Sequence, residues 1–263
     1  IAEVKASSLG CSKYDALLDI YDPSRTTTEI KSVYAIIKKE IPSLIQQIAE
    51  KQSKESVIPI SNIISPTKQQ LICKRIVEFL GFDFKNGRID ESAHPACWGT
   101  PYDVRLTNRY NDFISGIMGI IHETGHGLYE QNLPHDYKNQ PVGKAKGMAI
   151  HESQSLFMEM QVGRSREFIE YLAKILKEDF GLNTHEYSGE NLYKLITLVR
   201  PGSIRVDADE VTYLMHSILR FEIEEALIND AISLEELPYV WNNKMQTYLN
   251  ITPKSDRDGC LQD

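Results

Sequence analysis

Along most of the chain apolar residues recur at spacings of three and four, the period of an amphipathic helix. Over residues 31–51 the positions Val33, Ile36, Ile37, Ile41, Leu44, Ile45 and Ile48 follow that period. Pro42 falls inside the run, so a kinked helix or two successive helices are expected there. A second helix is expected over 66–80, carried by Leu71, Ile72, Val77, Phe79 and Leu80, with Pro66 near its start and Gly81 suited to its C-terminal cap. The intervening 53–65 segment is polar at both ends and reads as a loop. Over 82–110 the pattern changes: Gly87, Pro95, Gly99 and Pro101 break helices, while Gly87-Arg-Ile-Asp and Val104-Arg-Leu-Thr alternate, as strands of a small sheet do. Helical periodicity then resumes over 111–133, 147–161, 164–176, 184–199, 208–229 and 233–249. The expected fold is therefore mainly α with a small β-sheet. It is divided into a helical segment (1–81), a sheet and loop (82–110) and a helical core (111–263) within one catalytic domain.

Composition narrows the classes. In 263 residues, 41% hydrophobic and 25% charged positions are ordinary globular values. A formal net charge of −8, with no Lys/Arg-rich run interleaved with aromatics, argues against nucleic acid as a partner. No apolar stretch reaches the roughly 18 residues of a membrane span, and no signal peptide is visible, so a cytoplasmic protein is expected. The cysteines Cys11, Cys73, Cys97 and Cys260 are dispersed and form no C-x-x-C pair, as expected of free thiols in a reducing compartment. Cys97 near His94 allows a Cys/His nucleophile as a lesser alternative.

Candidate chemistry concentrates in the 111–133 helix, which reads His122-Glu123-Thr-Gly-His126 between Ile120-Ile121 and Leu128-Tyr129. Residues four apart on a helix lie about 40° apart round the axis and about 6 Å apart along it, so two imidazoles so placed can close on one metal ion. Glu123 can then face a water activated by the metal and serve as its general base. A catalytic zinc site commonly takes a third protein ligand and leaves one position open. Glu152, in Gly147-Met-Ala-Ile-His151-Glu152-Ser-Gln154 on the next expected helix, is the candidate, since the intervening loop lets the two helices pack face to face. His151 adjoins Glu152, so a regular helix cannot aim both at one ion. Its alternatives are a place behind the ligands, a place facing substrate, or simple packing.

At these residues the chain resembles the carboxypeptidase Taq family of zinc- or cobalt-dependent metallocarboxypeptidases. His94-Pro95 resembles its H-P-F element, Asp103-Val-Arg105-Leu-Thr107 its D-x-R-x-T, and His151-Glu152-Ser153-Gln154 its H-E-S-Q. Ile204-Arg205-Val-Asp-Ala208-Asp209 matches I-R-x-x-A-D, and Gly259-Cys-Leu-Gln262-Asp263 resembles the opening of G-x-x-Q-D-x-H-W. Ala96 stands where the family usually has Phe. The chain stops inside the last signature, begins at Ile1, and is roughly half the family's length, so an internal fragment is expected. The resemblance implies a helical metallopeptidase with a neurolysin-like groove and the small sheet beside the H-E-x-x-H helix. It also implies one Zn²⁺ (Co²⁺ possible) held by His122, His126 and Glu152, peptide substrates trimmed at the C-terminus, and possible homodimers.

Further roles follow from chemistry and resemblance together. Tyr213 and His216, three apart on one helical face, are candidate donors to the tetrahedral oxyanion, with core packing as the alternative. Arg205 is the candidate for the substrate's terminal carboxylate, which a guanidinium fork matches; the alternative is a salt bridge to Asp207 or Asp209. Arg105 could contact substrate or pair with Asp103 or Asp90, and His94 could line the groove or close a turn. A thimet-like oligoendopeptidase and a catalytically inert helical fragment are the competing functional readings.

Overall fold

A computed structural model describes residues 1–61 and 63–262. In chain order the elements are helices α1 (Ala2–Leu9), α2 (Lys13–Tyr21), α3 (Thr27–Gln52) and α4 (Pro66–Phe79). Strands β1 (Gly87–Glu91), β2 (Ala96–Thr100) and β3 (Asp103–Asn108) follow, then α5 (Phe113–Gln131), α6 (Met148–Leu156), α7 (Arg166–Glu178), α8 (Gly189–Ile196), α9 (Thr212–Ile228) and α10 (Leu237–Leu249). The protein is thus mainly helical with one small sheet. The chain forms two compact units, residues 1–56 with 197–263, and residues 57–196. Among the described residues no helix is long and apolar enough to cross a membrane.

The first unit packs α3, α9 and α10 round Met215, Ile218, Leu219, Ile223, Trp241, Met245 and Leu249. A capping box starts α3: Thr26 accepts from Glu29 N–H, and the Glu29 carboxylate accepts from Thr26 N–H. Instead of breaking at Pro42, α3 runs through it. Tyr34, Ile37, Ile41 and Ile45 lie against the unit's core on both sides of the proline. Pro42 itself is exposed, on the side of the helix away from these residues' core. Helices α1 and α2 fall within the expected helical segment 1–81, ahead of the first periodic run read from the sequence. Ser12 caps α2 by accepting from Asp15 N–H.

In the second unit α5 is the central element. Phe113, Ile117 and Ile121 join a core with Ile72 and Ile76 of α4 and Phe168, Ile169 and Leu172 of α7. Ile120 joins another with Cys73, Val77, Phe82, Val104 and Leu106. A helix apolar on more than one side is a buried helix, and its polar residues need partners. The sheet has the order β1-β3-β2, with β1 parallel and β2 antiparallel to β3. The strand β2 was not expected, because Gly99 and Pro101 read as breakers. Gly99 has φ +128°, and a Cβ there would lie 2.0 Å from the Asp103 carbonyl oxygen, so only glycine makes this β2–β3 turn. The expected helix over 147–161 divides into α6 and a wider π-helical turn, Phe157–Val162.

Candidate metal centre

The second unit assembles a compact donor set. Asp112 caps α5 by accepting from Ser115 N–H, and ten residues further along the helix stands His122. Helix α6 packs against α5 at Gly125, which faces Gln154 and Ser155. Across that contact Glu152 meets both imidazoles: Oε1 lies 3.4 Å from His122 Nε2 and Oε2 lies 3.2 Å from His126 Nε2. One ligand atom from each of the three residues lies within 4.8 Å of the others. Donors on a tetrahedron about 2.1 Å from a central zinc stand about 3.4 Å apart, so these spacings fit one ion of that size. Side-chain exposure rises from 11% at His126 and 21% at His122 to 39% at Glu152, which leaves the open side at the carboxylate.

The hydrogen bonds behind the imidazoles set which nitrogen faces that point. His122 Nδ1 lies 2.9 Å from Glu159 Oε2, and a carboxylate accepts, so Nδ1 carries the proton and Nε2 keeps its lone pair. His126 Nδ1 lies 2.6 Å from His151 Nδ1, and His151 Nε2 lies 2.7 Å from Glu130 Oε1. With the Glu130 carboxylate accepting from His151 Nε2–H, His151 Nδ1 accepts from His126 Nδ1–H. His126 Nε2 is then also a free lone pair. His151 therefore stands behind the donor set, one of the places left open for it.

The electrostatics suit a cation. Burial alone would lower the pKa of His122, but the hydrogen bond it donates to Glu159 and the charges of Glu159, Glu152 and Glu123 outweigh it and raise the value. The same negative field that draws a proton draws a divalent ion. Glu152 shows the complement: burial would raise its pKa, but the close approach of His126 and the neighbouring histidines His122 and His151 lower it, keeping the carboxylate ionised. Glu123 is buried, and burial pushes its pKa up, offset in part by His122 and His126. A raised carboxylate pKa suits a group that must take up a proton.

Other sequence candidates fall at different places. Cys97, on β2, has its thiol pushed up to about 12, first by burial and then by the charges of Glu123 and Glu130, which removes the thiolate a Cys/His nucleophile needs. Arg105 forms a two-pronged ion pair with Asp103, 2.8 Å from Nη2 to Oδ2, the pairing that sequence left open. His94 is exposed, and its carbonyl accepts from the hydroxyls of Thr107 and Ser92 in the turn before β2. The next residue, Pro95, packs over Gly119, one turn ahead of His122.

In the first unit, Arg205 opens a short 3₁₀ turn. Its N–H donates to Gln262 Oε1 at 2.7 Å and its Nη1 to the Tyr213 hydroxyl at 3.4 Å. Asp209, one alternative partner of Arg205, instead accepts from Thr212 N–H and the Thr212 hydroxyl at the start of α9. His216 is 1% exposed among the core residues of α9. Asp263, the last residue of the expected G-x-x-Q-D match, lies outside the described residues.

Sequence reasoning missed Glu159, Arg164, Glu130 and Gly125. Glu159 had a legible signal: seven residues beyond Glu152 it is only about 20° short of two full helical turns, hence on the same face. Glu130 had one too, four residues after His126 and so beside it.

Two imidazoles from one H-E-x-x-H helix, a carboxylate from the next and a buried glutamate inside the motif define a metallopeptidase-type centre. Comparison with known proteins carries this further. The sequence profile described as carboxypeptidase Taq (M32) metallopeptidase matches residues 1–263. Carboxypeptidase 1 of Bacillus subtilis is 39% identical over 253 residues, which is 95% of this chain and 50% of that protein. Thermostable carboxypeptidase 1 of Pyrococcus furiosus is 34% identical over 276 residues, covering 100% of this chain and 54% of that protein. The solved structure of Trypanosoma cruzi metallocarboxypeptidase 1 matches with a TM-score of 0.95 and 40% identity, over 100% of this chain and 55% of that one. The chain belongs to the carboxypeptidase Taq (M32) family of metallopeptidases. It spans about half the length of the curated relatives it matches. Membership in a metallopeptidase family implies a divalent metal ion, and His122, His126 and Glu152 offer it a site.

Proposed function

We propose that this chain carries the metal centre of a zinc-dependent carboxypeptidase that hydrolyses the last peptide bond of peptides, with cobalt as an alternative ion. The observation that carries the reading is the pair of Nε2 lone pairs on His122 and His126 facing the two oxygens of Glu152, with Glu123 buried on the same helix. A zinc ion held there would acidify water and polarise the scissile carbonyl. Glu123, its pKa raised by burial, takes the proton of the attacking water and delivers it to the departing amine. Glu152 stays ionised to balance the positive charge. The outer strand β2, packed against α5, offers main-chain groups to an extended peptide.

For the terminal carboxylate the candidate is Arg205, on the chemistry of its guanidinium fork and with the Tyr213 hydroxyl beside it. Tyr213 is also the better candidate for an oxyanion donor. The near-complete burial of His216 favours its role as a packed histidine.

The test pairs one peptide in two forms, with a free and with an amidated C-terminus, incubated with the metal-loaded chain. Release of the terminal residue from the free form only is expected. Equal cleavage of both forms would exclude an exopeptidase, and a metal-loaded chain that cleaves neither would make it a binding fragment only.

A further inference from the structure

Behind His122 lies a group whose place depends on an irregularity in the backbone. Gly163 N–H donates to the Met158 carbonyl at 2.7 Å, a five-residue step that widens the helix into the π turn Phe157–Val162. In an α-helix, residues five apart face directions about 140° apart. A π turn brings residues five apart alongside each other, and here it brings Arg164 beside Glu159, with Nη2 3.3 Å from Oε1. Arg164 is itself tethered by a bond from Nη1 to the Ile196 carbonyl at the end of α8. The other oxygen of Glu159 accepts from His122 Nδ1 at 2.9 Å.

We propose that Glu159, held by Arg164 across the π turn, is a positioning residue for the metal centre. It fixes the tautomer and ring angle of His122 so that Nε2 faces Glu152. This role rests on the metal-centre reading above and adds a residue to it. Both Glu159 oxygens are engaged, one by the ligand's imidazole and one by a guanidinium that is 9% exposed, so the carboxylate has little freedom to turn. An imidazole gripped in this way loses no rotational freedom when an ion arrives and is a more basic donor. A regular α-helix through this segment would direct Arg164 elsewhere, and Glu159 would hold His122 without support.

The experiment uses Glu159→Ala and Glu159→Gln, with zinc and cobalt binding measured by chelator competition and the visible spectrum of the cobalt-loaded chain recorded. Glu159→Ala should weaken binding about 10- to 100-fold and alter the cobalt bands, because His122 is freed to rotate. Glu159→Gln keeps an oxygen to accept from Nδ1–H but loses the charge, so it should fall between the parent and Glu159→Ala. Far-UV circular dichroism and the unfolding midpoint report whether each variant is folded. Parental affinity and spectrum in a folded variant would overturn the proposal, and Glu159→Gln decides the matter should Glu159→Ala not fold. A parent chain that takes up neither ion would remove the metal-centre reading itself, and this proposal with it.

Discussion

A β-carbon built on Gly125 would stand 2.5 Å from the carbonyl oxygen of Gln154, closer than two such atoms ever approach. The glycine between Glu123 and His126 therefore sets how near α5 and α6 can come, and that separation sets the distance from Glu152 to both imidazoles. Because the opposing atoms are backbone, no side chain can swing aside to admit a methyl group. Gly125→Ala should cost about 1–3 kcal/mol in a chemical denaturation experiment. It should also weaken zinc binding, since α6 moves away carrying Glu152. Parental stability together with parental affinity would show that the close approach does not govern the site.

The three donor residues were legible because their geometry follows from helical spacing alone. His122 and His126 are one turn apart on a helix whose apolar pattern announced it, and Glu152 lay on the next such helix. The supporting residues were harder to read. Glu159 needed the phase of a helix extended past Glu152, and Arg164 needed a π turn for which the apolar pattern gives no sign. Gly125 carried no signal of its role, since nothing in a sequence shows which backbone will lie opposite. β2 was missed for a related reason: glycine and proline at its end are turn chemistry serving the strand. Pro42 misled in the other direction, because tertiary packing of Tyr34, Ile37, Ile41 and Ile45 holds α3 together through it.

Thiol chemistry offers a test that does not involve the metal. Burial pushes the thiols of Cys73 and Cys97 up to about 12, whereas Cys11 is exposed. Brief alkylation of the folded chain at about pH 8 should modify Cys11 and spare the other two, because the thiolate is the reactive species. Peptide mapping by mass spectrometry reads the result. Rapid labelling of Cys97 would revive it as a nucleophile candidate.

The first unit contains a charged cluster whose hydrogen bonds set the direction of its pH dependence. The Glu222 carboxylate on α9 accepts from Lys38 of α3 and from Lys244 and Tyr248 of α10. Burial would raise its pKa, but the bonds from Lys244, Lys38 and Tyr248 together outweigh that and lower it from 4.5. A carboxylate whose folded value lies below its unfolded one stabilises fully above the unfolded value and loses that contribution as pH falls through the folded one. Glu222→Gln should therefore cost about 1–2 kcal/mol in urea unfolding at neutral pH. The gap to the parent should close as the medium is acidified below 4.5. A gap that is unchanged in acid would mean that the cluster's contribution is packing and not charge.

Glu123→Gln separates binding from chemistry at the metal centre. The amide matches the carboxylate in size, so the packing of α5 and the positions of His122, His126 and Glu152 should persist, and zinc content should equal that of the parent. What the variant lacks is a group able to take a proton from water, a function worth about 10²- to 10⁴-fold in rate. In a chain that releases C-terminal residues, the loss should therefore appear in kcat with little change in KM, because nothing assigned to substrate binding has been altered. A second signature comes from the site's charge: with one fewer buried carboxylate beside it, the variant should hold zinc no more tightly than the parent. Full retention of kcat would remove Glu123 from the mechanism, and another group would have to supply the proton transfer. Loss of zinc in parallel with loss of rate would instead mean that Glu123 acts by holding the site together.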